Sequence, residues 1–123
     1  MPTQIIGFAL GLLSLLGAAA QVDAHAFMVR ARPAVGSKVI SAPTEVQIWF
    51  SEPLQQASST IQVFDGNGKQ IDKKDTHLDR VNRALVHVSL PAGLGSGTYK
   101  VTWRVTSIDT HITTGDFRFQ INR

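Results

Sequence analysis

The sequence predicts an all-β protein, a seven-stranded Greek-key β-sandwich. Three observations carry that reading. From residue 25 onward apolar and polar residues alternate in short runs, Gly, Pro, Asn and Asp separate the runs, and no stretch sustains the 3.6-residue period of a helix. About a hundred residues suffice for one hydrophobic core and not two, and seven strands in that length suit a sandwich.

In chain order the expected strands are Phe27–Arg32, Thr44–Phe50, Thr60–Asp65, Lys69–Lys74, Ala84–Leu90, Thr98–Thr106 and Gly115–Ile121. Side chains alternate faces along a strand, which places Val46, Ile48 and Phe50 on one core face. The same alternation assigns Tyr99, Val101, Trp103 and Val105 to the core, with Phe117, Phe119 and Ile121 from the last strand. Trp49 falls on the polar register with Glu45 and Gln47, so half-buried packing is expected of it. Gly66-Asn67-Gly68 joins the third and fourth strands as a hairpin, because these residues tolerate the positive φ of tight turns.

Before these strands, Met-Pro-Thr-Gln leads into an apolar run, Ile5 to Ala20, and then the more polar Gln21-Val22-Asp23-Ala24. That is the pattern of a cleaved secretory signal. The run is short of the ~20 residues that span a bilayer and is interrupted by Gly7, Gly11 and Gly17. Small residues one and three before the cut allow cleavage after Ala24 or after Ala26. The expected domains are therefore a leader, 1–24, and a β-domain, 25–123. Cleavage after Ala24 leaves His25 at the head of the mature chain.

Composition removes several classes of chemistry. The chain has no cysteine, so disulfides, thiolate metal sites and thiol nucleophiles are excluded, and any metal must be held by nitrogen and oxygen. The excess of 12 Lys/Arg over 9 Asp/Glu is mild and spread out, with no basic run longer than two. No nucleic-acid stripe results.

If successive strands run back and forth across the sandwich, the start of the first, the end of the second and the end of the sixth share a pole. His25, Glu52 and the Asp109-Thr110-His111 segment then meet there. Asp109 and His111 are two apart, so on extended backbone their side chains share a side. An amino-terminal histidine adds an α-amine whose ordinary pKa, about 7.7–8.0, makes it easier to recruit than lysine. Two nitrogens from His25, one from His111 and an oxygen from Asp109 form a tetragonal N,O set. Such a set favours Cu(II).

Several motifs carry a family resemblance. They are Ala24-His25-Ala26, Arg32-Pro33-Ala34-x-Gly36-Ser37, Phe50-Ser51-Glu52-Pro53-Leu54 and the long run Gly97-Thr98-Tyr99-Lys100-Val101-x-Trp103-Arg104-Val105-x-Ser107-x-Asp109-x-His111, followed by Gly115. In this order they resemble the CopC family of periplasmic copper-resistance proteins. The resemblance implies an immunoglobulin-like or cupredoxin-like sandwich with one Cu(II) ion at His25, Asp109, His111 and Glu52. Glu52 is a ligand, an acceptor that orients the amine or a ring N–H, or a solvated acid after its strand. Some members add a methionine-rich segment that binds Cu(I). Here Pro53–Asp75 holds no methionine, and Met28 is the only one after residue 25, so a Cu(II) site alone is expected.

The expected function is a monomeric periplasmic copper carrier or buffer in copper homeostasis or resistance, not an enzyme. The family resemblance implies a membrane copper importer as partner. The competing classes are an oxidative copper enzyme built on a histidine brace and an immunoglobulin-like interaction module without metal. Asp75-Thr76-His77 repeats the Asp-Thr-His tripeptide and strand parity sets it near the same pole, yet its charged surroundings point to a solvated loop. His87, out of register with Val86 and Val88, is expected on the surface of its strand.

Overall fold

The alternating runs fold into eight strands among residues 25–123, which are the residues the computed structural model describes. The expected leader lies outside the described residues. The strands are β1 (Met28–Arg32), β2 (Lys38–Val39), β3 (Glu45–Phe50), β4 (Thr60–Phe64), β5 (His77–Leu78), β6 (Leu85–Ser89), β7 (Gly97–Thr106) and β8 (Ile112–Ile121). One sheet has the order β1-β3-β6-β5 and the other β2-β8-β7-β4. All neighbours are antiparallel except β2 with β8.

The core lies between the sheets, where alternation placed it. Val46, Ile48 and Phe50 are buried, as are Tyr99, Val101, Val105, Phe117, Phe119 and Ile121. Tyr99 stacks on Phe119 at 5.5 Å and donates its hydroxyl to the Gly95 carbonyl at 2.7 Å, so the aromatic body is buried with its polar end satisfied. Trp103 is half-buried, packs edge-on to Phe50 at 5.0 Å and lies against the core. It pairs with Gly115 of β8, where an added Cβ would stand 2.3 Å from its ring. Only glycine leaves room for the indole across the strand.

Two differences from the expected strands have local causes. The turn at Gly66-Asn67-Gly68 forms, with Asp65 Oδ1 accepting the Asn67 and Lys69 N–H groups and Gly68 at φ 80°. Lys69–Lys74 is not a strand, however. It makes one bridge, Phe64 to Gln70, and then leaves the ladder. The carboxylate of buried Asp72 takes over, accepting Val63 N–H at 2.8 Å and Lys74 N–H at 3.1 Å. The two extra strands, β2 and β5, have two residues each and exist through their neighbours, β8 and β6.

One pole of the sandwich collects the start of β1, the end of β3 and the β7–β8 connection. Met28 pairs with Phe50 and Thr106 with Ile112. Leu54 bridges Ser107, and Gln55 N–H reaches the Thr106 carbonyl at 2.8 Å, tying the two sheets together there.

Candidate metal centre

The β7–β8 connection is a tight turn organised by Ser107, which is 1% exposed. Its N–H donates to the His111 carbonyl at 2.9 Å, and its hydroxyl oxygen accepts His111 N–H at 3.3 Å and donates to Asp109 Oδ1. Thr110 N–H closes the turn on the Ser107 carbonyl at 2.9 Å, with Thr110 in the left-handed region at φ 75°. A β-branched residue there is strained, at a cost of about 1–2 kcal/mol. Asp109 and His111 therefore meet through a turn and not through extended backbone. His111 Nδ1 lies 3.1 Å from Asp109 Oδ2. The Ser107 hydroxyl, and next the His111 ring, hold the Asp109 carboxyl below its ordinary value of 3.8, so it is charged at neutral pH.

His25 is delivered to the same place by Ala26 and Phe27. Thr113 donates its hydroxyl to the carbonyl of buried Ala26 at 2.9 Å. Phe27 is clamped to Ser51 on both sides, its N–H on Ser51 Oγ at 3.0 Å and its carbonyl on Ser51 N–H at 2.9 Å. The His25 ring then packs edge-on to His111, with centroids 4.3 Å apart and planes at 86°. Three of the four expected residues form a chain of contacts, His25 on His111 on Asp109. Glu52 is half-buried in the adjoining segment, and among the described residues it makes no ion pair. No three His, Asp or Glu groups among the described residues stand ready as a metal cage.

The other histidines lie elsewhere. The expectation that Asp75-Thr76-His77 shares the pole is overturned: Asp75 Oδ1 accepts Ser89 N–H at 2.8 Å, at the far end of β6. The parity count failed because Lys69–Lys74 is not a crossing strand. His77 pairs with His87 and stacks on it, at 5.1 Å and 9°. His87 stands on the outer strand face and is half-buried, with Glu45 Oε1 3.2 Å from Nδ1 and Asp79 Oδ1 3.0 Å from Nε2. Trp49 is half-buried as expected, and the Arg30 guanidinium lies 3.9 Å above its ring, a stack the sequence did not announce. Ser107 was also missed as the organiser of the site, since a serine two before an aspartate is a common turn signal with no metal content.

The CopC domain family model matches residues 28–122. "Copper resistance protein C" of Pseudomonas syringae pv. tomato is 33% identical over 125 residues, covering 93% of this chain and 90% of that protein. "Copper transport protein CutJ" of Bacillus subtilis strain 168 is 32% identical over 100 residues, covering 81% of this chain and 18% of that much longer protein. Among solved structures, CopC from Methylosinus trichosporium OB3b superposes with a TM-score of 0.74 at 28% identity, over 80% of this chain and 94% of that one.

Proposed function

This chain belongs to the CopC domain family, and on that premise we propose that it is a periplasmic Cu(II) carrier or buffer serving copper resistance or supply. The observation that carries the proposal is the contact of His25 with His111, two imidazoles brought from opposite ends of the chain to 4.3 Å. Cleavage after Ala24 adds the His25 α-amine, whose proton a metal displaces at little cost near neutral pH. Asp109 is already a carboxylate, so it supplies an oxygen without releasing a proton. Glu52, one residue beyond the Ser51 clamp, completes the set as a ligand or as acceptor for the amine.

Cu(II) is the favoured cargo because nitrogen and oxygen donors in a tetragonal set suit it and it heads the affinity order. Met28, the one methionine after residue 25, packs against the core, which supports a Cu(II) site without a Cu(I) partner. The paired rings stand edge-on at 86° and no cage of three donors is formed among the described residues, so on this reading the side chains rotate about their own bonds to take up the ion. A membrane copper importer is the receiving partner on this reading. The name of the Bacillus subtilis relative, a copper transport protein of which this domain matches 18%, supports a link between the domain and transport.

The test compares the secreted chain with a version carrying one extra residue before His25, each terminus verified by mass spectrometry. Electron paramagnetic resonance of the Cu(II) adduct should lose one nitrogen coupling in the extended chain, and affinity should fall at least about tenfold. Identical spectra and affinities would sink the chelate. His111→Ala should likewise remove one nitrogen with the fold intact.

A further inference from the structure

Seven large apolar side chains are exposed among the described residues, and Phe27 at 58%, Val29 at 63%, Ile108 at 63% and Ile112 at 52% lie within four residues of the contacting His25 or His111. Phe27 and Val29 follow His25 by two and four residues, while Ile108 and Ile112 flank His111. Because the two rings touch, all four collar residues lie at one pole. Cations rim it. Arg30 lies over the Trp49 ring at 3.9 Å, Arg104 is exposed two residues before β7 ends, and Arg83 sits in the loop and receives Leu54 N–H on its carbonyl at 3.0 Å. Among the described residues none of the three arginines is in an ion pair. The acids at this pole are Glu52 and Asp109, which belong to the metal centre, and Asp79, whose carboxylate is taken up by Val81 and Asn82 N–H groups and the His87 ring.

We propose that this pole docks on an anionic lipid surface, with the collar inserted at headgroup level and the arginines on lipid phosphates. An apolar patch with a basic rim is the chemistry that binds anionic membranes. A peptide would need a groove, and the principal clefts lie on other faces, lined by none of the four collar residues. As an orientation of the copper site toward a membrane acceptor the proposal rests on the copper reading, whereas the docking itself needs no copper.

Sedimentation of the secreted chain with lipid vesicles tests it. Binding is expected to vesicles of phosphatidylglycerol and phosphatidylethanolamine and not to phosphatidylcholine, and it should weaken with salt. Phe27→Ser with Ile108→Ser should lower partitioning about tenfold. Arg30→Gln with Arg104→Gln should lower it by a similar factor and remove most of the salt dependence. Ile40→Ser, at a residue 84% exposed beyond β2 at the other pole, should change nothing. Circular dichroism of each variant confirms that the sandwich is retained. No vesicle binding, equal binding to both lipid types, or an equal effect of Ile40→Ser would overturn the proposal. The same chains read for copper by paramagnetic resonance keep the two readings apart: loss of the copper signal with vesicle binding intact removes only the former, and the reverse only the latter.

Discussion

At the scale of single residues, the site depends on side chains whose importance comes from across the fold. Gly115 is one. Its lack of a Cβ lets the Trp103 indole lie over β8 and reach Phe50, which supports the end of β3 from which Ser51 and Glu52 extend. Gly115→Ala should destabilise by about 1–3 kcal/mol through overpacking and shift the tryptophan fluorescence, and an unchanged midpoint and spectrum would refute the steric account. The sequence marks Gly115 only as part of a motif, because the atom it avoids belongs to another strand. His25, Asp109 and His111 were legible as residue types at a spacing. Their contact depends on Ser107 and on the strained Thr110, whose conformation no local pattern forced.

At the scale of elements, short strands are held by acids that the sequence shows as ordinary loop charges. Hydrogen bonds from Ser89 hold the Asp75 carboxyl below 3.8, and those from Asn82, His87 and Val81 do the same for Asp79. These two residues bracket β5. Since their folded values are depressed, the unfolded chain binds more protons in acid. Their contribution to stability is fully present above about pH 5 and is lost as pH falls through the lowered values. Asp75→Asn with Asp79→Asn should flatten the acid limb of a stability–pH profile and leave its neutral region less stable than the parent. A profile that still falls as steeply in acid would assign the acid limb to other groups. Elements with six or more alternating residues, such as β3, β7 and β8, were readable from sequence. Lys69–Lys74 was not, because the buried Asp72 carboxylate replaces a ladder that alternation alone would have continued.

At the scale of the whole molecule, the histidine pole closes the sandwich, joining the start of β1, the end of β3 and the β7–β8 turn. An ion bound there cross-links segments that must separate on unfolding. Cu(II) at about a hundred times its dissociation constant should therefore stabilise the chain by about 2.7 kcal/mol. For a domain of this size that raises the thermal midpoint by roughly 10 °C or more, reversed by a chelator. No shift with the cleaved chain would count against binding at this pole. The sequence by itself determined the all-β class, the inward faces of the long strands, the exclusion of sulfur ligands apart from methionine, and the residue types of the site. These follow from alternation, composition and spacing, which are local. Only the tertiary structure decided which histidines meet, because convergence depends on strand pairing and on turns closed by side chains such as Ser107 and Asp72. It paired His25 with His111 and sent His77 to His87.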